Sequence, residues 1–426
     1  MLVAISLLAA KAFAAIKEVV VAWSYGTGPV LDGYLLVFNS YLLPISLCYG
    51  IMSYVLLPLF EEFEDSSQLK RFRAELLALT IVIGISLGVV SSLLVGIWIE
   101  WGSTGLSPEA VRAAMTACWL LSAIVPLGIL SALWSTIIMS NGGHWNTFLE
   151  ACPAICITIC VVAYPSTGIM PLILGTVFGY LIQAAILVRI LSYSRIQALP
   201  SWSLRSPAWN KIKSIVCILI CIQLFCLGFG FVDQYWGAKL GPGALSTLGY
   251  SNRILALVLG LLATAIGRAM LPHLARTYYL DPLAATNVAK KYAWLMFGCG
   301  IATVIGILYL AAPGVAVLFE RGEFSAKDTE KVSSCLCWGA LQIPGHAATV
   351  VIASLLSSAK RYYSLALISL VALGTKFASA FFLASSFGVN GLVVSSAVSS
   401  IATFILGLFI LKKSMYFKRS DTEKNL

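Results

Sequence analysis

The run LSTLGYSNRILALVLGLLATAIG at positions 245–267 holds a single charged residue, Arg253, among side chains that are otherwise apolar or small. About 20 mostly apolar residues let an α-helix cross the hydrocarbon core of a bilayer. A charge at the centre of such a helix costs about 2.5–3.5 kcal/mol on insertion scales, so it faces a bundle interior or a wet cavity rather than lipid. The run reads as a transmembrane helix with a charge kept for a purpose. The rest of the chain agrees. Of 426 residues, 59% are hydrophobic and 11% charged, against about 25% charged in an ordinary soluble domain. The mean hydropathy is +0.92. So few charges cannot cover a water-facing surface of this size. Soluble enzymes, nucleic-acid-binding domains, disordered chains and secreted disulfide scaffolds are disfavoured, and the lipid bilayer is the first partner. The formal charge of +10 needs no nucleic acid, because polytopic membrane proteins gather Lys and Arg in their cytoplasmic loops.

Runs of spanning length recur twelve times, over about 2–24, 31–60, 74–99, 112–140, 146–164, 168–192, 213–236, 244–272, 292–319, 333–357, 362–385 and 388–412. The expected fold class is an all-α polytopic membrane protein. A polar, basic, Pro-containing loop at 193–212 follows the sixth run. It divides the chain into an N-terminal lobe over 1–212 and a C-terminal lobe over 213–426, two six-helix lobes around a central cavity where transporters commonly bind substrate. The N-terminus has no basic segment ahead of its apolar stretch, and Lys11 interrupts that stretch. It reads as a retained first helix rather than a signal peptide. With both termini cytoplasmic, seventeen Lys and Arg fall on the inside and five on the outside: Arg112, Lys239, Arg321, Lys327 and Lys331. The positive-inside rule selects that orientation.

Once loop charges are set aside, Lys11, Lys17, Glu18, Asp32, Glu150, Asp233, Arg253, Arg268 and Lys376 remain in or near the spans. Arg268 lies near a cytoplasmic helix end and can snorkel. Asp32 and Glu150 lie near helix ends, where capping or headgroup contact also accounts for them. Lys17 and Glu18 are adjacent, and neighbours in sequence do not face each other on a helix. Lys11 and Arg253 lie deep in the first and eighth spans and are expected to line one aqueous cavity. Several cations and few acids there favour an anionic ligand, and a phosphate or diphosphate fits. Cys152, Cys156 and Cys160, like Cys217 and Cys221, repeat at helical spacing with no His or carboxylate among them; they read as small packing residues rather than metal ligands. His144, His273 and His346 are widely separated, and no nucleotide-binding, metalloprotease or serine-hydrolase motif occurs. The chain reads as a transporter, not an enzyme, with no cofactor or metal.

KEVVVAWSYGTGPVLDGYLLVF (17–38), VDQYWGAKLGPGALSTLGYSNRILALVLGLLATAIGRAMLPHLAR (232–276) and VAVLFERGEFSAKDT (315–329) resemble, in consistent order, segments of the MurJ/MviN family of lipid II flippases. IIMSNGGHWNTFLEACPAI (137–155) and FGVNGL (387–392) fit more loosely. The resemblance implies the multidrug/oligosaccharidyl-lipid/polysaccharide exporter fold, with alternating access. It also implies an undecaprenyl-diphosphate-linked glycan as substrate, moved from the inner to the outer leaflet of the bacterial cytoplasmic membrane. By local match, Lys11 and Lys17 occupy two arginine positions of the family, Asp32 its aspartate and Arg253 its eighth-helix arginine.

Three departures follow from the same resemblance. Lysines stand at two arginine positions, which keeps the charge but loses the planar fork. The segment NSYLLPISLCYG (39–50) lacks basic residues that the family carries, and twelve spans replace its usual fourteen. The implied substrate is lipid II or another lipid-linked saccharide, such as an exopolysaccharide or O-antigen unit. A drug/cation antiporter of the same superfamily remains an alternative, though it would want acids rather than cations deep in the lobes. A non-transporting scaffold would show no hydrated cavity. Some relatives hold a monovalent cation in the second lobe, at an aspartate matching Asp233. Here Lys376 is expected to fill that space and pair with Asp233, which leaves membrane potential as the driver. A monomer is expected, with envelope biosynthesis enzymes as possible contacts.

Overall fold

The computed structural model describes residues 2–61, 63, 66–102, 105–143, 146–164, 168–194, 199–206, 208–359 and 361–424. Among these, every regular element is helical. In chain order they are α1 (Leu2–Tyr25), α2 (Pro29–Ile51), a π-helical turn (Met52–Leu56), α3 (Leu57–Glu61), α4 (Ser66–Gly102), α5 (Pro108–Leu121), α6 (Ile124–Ser140), α7 (Asn146–Leu149), α8 (Cys152–Ala163), α9 (Met170–Tyr193), α10 (Ala208–Lys239), α11 (Ala244–Leu280), α12 (Pro282–Phe319), α13 (Ala326–Ala340), α14 (Ile343–Ser358) and α15 (Tyr362–Lys424). Among the described residues, six helices are by themselves long and apolar enough to cross a membrane, and up to eight when each bent pair counts as one span.

Several expected spans are not single rods. The fourth is α5 and α6, bent by 48°, and the tenth is α13 and α14, bent by 44°. Pro126 and Pro344 lie in the first turn after each break, where a residue without an N–H costs least. Pro44 stays inside α2. The fifth span is the short α7 followed by α8, which starts with Pro153 in its first turn. The eleventh and twelfth are the two arms of α15, broken at Gly388 (φ 60°, ψ −138°), a backbone conformation that is essentially glycine's. The arms return along each other: Ser399 Oγ donates to the Ala372 carbonyl at 2.7 Å.

The chain divides into two compact units. The first comprises Met1–Gln223, Gly241–Ser246 and Leu318–Ser325; the second comprises Leu224–Leu240, Thr247–Val317 and Ala326–Leu426. The division falls inside α10 rather than at 212, and two short connections from the second half of the sequence belong to the first unit. In that unit, Phe72, Leu133, Ile137, Leu187 and Leu191 form the centre of a buried cluster. Tyr41 hydroxyl donates to the Cys118 carbonyl at 2.6 Å, tying α2 to α5. Tyr34 and Thr176 share a 2.8 Å hydrogen bond between α2 and α9. The Glu323 N–H donates to the Trp23 carbonyl at 3.0 Å, which docks the 318–325 connection on the end of α1. The second unit has two buried clusters. One is built around Ala289, Ala293, Val351 and Ile352, the other around Val232, Leu248, Ala380 and Leu392.

Candidate functional site

Lys11 and Lys17 come from α1. Six residues of helix separate them by about 9 Å along the axis and about 120° around it, so they do not share one narrow stripe. Lys11 is exposed. Glu150, at the start of the turn into α8, takes a hydrogen bond from the Tyr49 hydroxyl and lies within electrostatic reach of Lys11. Lys17 corrects the expectation drawn from adjacency, because its ammonium pairs with the Glu18 carboxylate. Neighbouring positions diverge at Cβ, but two long side chains can still curl toward each other. Glu18 is buried, so any anion arriving at Lys17 meets a carboxylate already there.

Asp32 is wholly enclosed. Its Oδ2 accepts from the Gly243 N–H at 2.5 Å and its Oδ1 from the Ser246 N–H at 2.7 Å. Those amides belong to the start of α11, where the first four N–H groups have no partner within the helix and the peptide dipoles favour a negative charge. Asp32 therefore caps a helix more than two hundred residues away in sequence. The family resemblance implies a role for Asp32 at the substrate, and its place near a helix end also allows a cap; its carboxylate lies on backbone amides, as a cap does. Gly241 and Gly243 both have positive φ, which glycine accepts without strain and which turns the connection so that its amides meet the carboxylate.

Arg253 lies in the second unit, partly buried, seven residues or about two turns beyond Ser246 along α11. Lys376, in the first arm of α15, is fully buried. Its Nζ lies 2.7 Å from Asp233 Oδ1 of α10, 3.2 Å from the Leu392 carbonyl and 2.5 Å from Ser396 Oγ. Three oxygens thus surround an ammonium that has three protons to donate. A buried ammonium needs such a set, since one left unpaired would be strongly destabilising. This cluster joins α10 to both arms of α15. Among the other residues singled out from the sequence, His144 and the side chains of Cys217, Arg268 and His273 lie outside the described residues.

The sequence as a whole has clear relatives. A family model described as lipid II flippase MurJ matches residues 21–424. A probable lipid II flippase MurJ of Vibrio cholerae is 25% identical over 351 residues, covering 75% of this chain and 65% of the relative. The corresponding protein of Bdellovibrio bacteriovorus is 27% identical over 244 residues, covering 56% and 46%. The chain thus spans less than two thirds of the length of these relatives. Among solved structures, lipid II flippase MurJ in an inward closed conformation superposes with a TM-score of 0.83 at 17% identity, covering 96% of this chain and 87% of the other. An inward-facing multidrug resistance transporter of the MATE family gives 0.78 at 15% identity, covering 96% of each. At these identities the two superpositions establish the fold.

Proposed function

The chain belongs to the lipid II flippase MurJ family, and from that premise we propose that it moves a polyprenyl-diphosphate-linked saccharide from the inner to the outer leaflet by alternating access. It is a multi-pass membrane protein, and the proposal places it in the bacterial cytoplasmic membrane with both termini inside. The observation that carries the reading is the family match over 21–424. The geometry supports it through cations that apolar helices would not otherwise hold: Lys11 and Lys17 in α1 and Arg253 in α11. In this reading they neutralise the diphosphate, so that the headgroup never meets hydrocarbon as a bare anion. Asp32 acts through the backbone. It holds the Gly243 and Ser246 amides at the start of α11. Productive transport needs the substrate to favour one state over the others by its contacts; a displaceable carboxylate such as Glu18 beside Lys17 supplies one such difference.

Complementation tests this directly. In cells depleted of their own lipid II flippase, expression of this chain is expected to restore growth, and Arg253→Ala is expected to abolish rescue while leaving membrane insertion intact. Rescue by the Arg253→Ala chain at normal levels would remove the arginine from the mechanism. Failure of the wild-type chain despite good insertion would shift the substrate to another lipid-linked saccharide. That second reading is favoured by the lysines at positions 11 and 17, which contact phosphate as point charges rather than as bidentate forks.

Energy coupling follows from Lys376. Its ammonium supplies a positive charge beside Asp233 by covalent attachment, so no free monovalent cation is required there, and membrane potential drives the cycle. Transport in vesicles at a fixed potential is expected to be equal in sodium and choline buffers. Strong sodium stimulation of the wild-type protein would rule this out, whereas sodium dependence appearing only in Lys376→Ala would support it.

A further inference from the structure

Glu75, in the third turn of α4, is fully buried and gathers hydrogen bonds on both carboxylate oxygens. Its Oε1 takes the Arg205 N–H at 3.1 Å and the Ser203 hydroxyl. Its Oε2 takes the Ser206 N–H at 3.1 Å and the Trp209 indole N–H at 2.8 Å. Arg71 Nε, one turn earlier, lies 3.3 Å from Oε1. Every one of the first four donors comes from the connection between the sixth and seventh spans or from the first turn of α10. The same segment is held again where the Ser201 N–H donates to the Ala74 carbonyl at 3.0 Å, and where Trp209 packs edge-on against Phe72 with ring centroids 5.2 Å apart.

The local backbone is shaped for this anion. Leu204 has φ 45° and is the one non-glycine residue with positive φ among those described. Leucine adopts that region rarely. Here it turns the chain so that the successive N–H groups of Arg205 and Ser206 point to one place, a concavity of amides suited to a negative charge. A charged acceptor makes stronger hydrogen bonds than a neutral one. Leu199, Trp202 and Leu204 remain exposed, so apolar burial does not account for the linker's course; the carboxylate does.

We propose that Glu75 is a positioning residue that clamps the linker between the two halves of the sequence onto the first unit and so sets the base from which α10 moves during transport. The unit boundary fits this: Ala208–Gln223 of α10 belongs to the first unit and Leu224–Lys239 to the second. The clamped end of the helix stays with α4, and bending falls beyond Gln223, toward Gly228 and Gly230. The transport half of the inference rests on the flippase reading; the clamp does not.

Hydrogen exchange on the full chain in vesicles of phosphatidylethanolamine and phosphatidylglycerol separates the two. The Arg205 and Ser206 amides are expected to be protected in the wild type and to exchange about tenfold faster or more in Glu75→Ala. Arg71→Ala should leave them protected, and α9 should be unaffected in both. Trp209→Phe, which removes one donor and keeps the carboxylate, serves if Glu75→Ala fails to insert, and a smaller acceleration is expected. Flipping of a polyprenyl-diphosphate-linked disaccharide in the same vesicles should then slow in turnover with its half-saturating concentration unchanged. Wild-type amides as fast as those of Glu75→Ala would overturn the clamp. A freed linker with undiminished turnover would overturn the positioning role. A wild type that moves no such lipid counts against the transport reading alone, and the exchange data still decide the clamp.

Discussion

Asp32 and Lys376 sit in helices as charges that lipid would reject, and backbone groups help to satisfy both: two amides for Asp32 and one carbonyl, beside two side chains, for Lys376. For Asp32 the partners are two amides at the start of α11. Replacing it by alanine leaves those buried donors without an acceptor, a loss of about 1–3 kcal/mol for each such group. Asp32→Ala is therefore expected to lower the thermal unfolding midpoint of the purified protein and to weaken rescue of flippase-depleted cells. Asp32→Asn, which keeps one carbonyl acceptor, should fall between. A midpoint for Asp32→Ala equal to the wild type would mean that the cap contributes nothing. The sequence shows both residues as misplaced charges and points to Asp233 as the partner of Lys376, which the structure bears out, but it hides the partners of Asp32. Gly243 lies 211 positions from Asp32, and no local pattern links the two. Glu75 was harder to see, because at the edge of the third apolar run it looks like an ordinary boundary charge, and the amides it collects carry no side-chain signature.

Helix existence was legible almost throughout, because apolar runs of spanning length have few alternatives in lipid. Where helices bend was legible only in part. Pro126 and Pro344 mark real breaks, Pro44 does not, and Gly388 divides α15 without a proline nearby. A glycine breaks a helix only when the next segment has somewhere to pack, which is a tertiary property. The small residues of α9 are clearer. An added Cβ at Gly175 would meet the backbone of Cys156 and Ile157, and one at Gly179 would meet Pro153, so α8 and α9 approach closely along this stripe, as glycines allow between membrane helices. Gly179→Leu is expected to force them apart and destabilise by about 1–3 kcal/mol, read as a lower unfolding midpoint with the helical signal unchanged below it. An unaltered midpoint would show that the helices part without cost.

At the scale of the whole chain, the proposed orientation makes its own prediction. Single cysteines introduced at Glu109 and Glu330, in a background freed of reactive native thiols, should react with an impermeant maleimide applied outside intact cells. A cysteine at Ser67 should react only after permeabilisation. The reverse pattern would invert the topology and with it the direction assigned to transport. The basic loop after the sixth run points to a division at 212, and the compact units do not follow it. Gly241–Ser246 and Leu318–Ser325 are encoded in the second half of the gene and folded into the first unit. In the finished protein the amino-terminal unit thus includes stretches that the ribosome makes only after the sixth helix, and its full set of contacts is complete only once both have emerged.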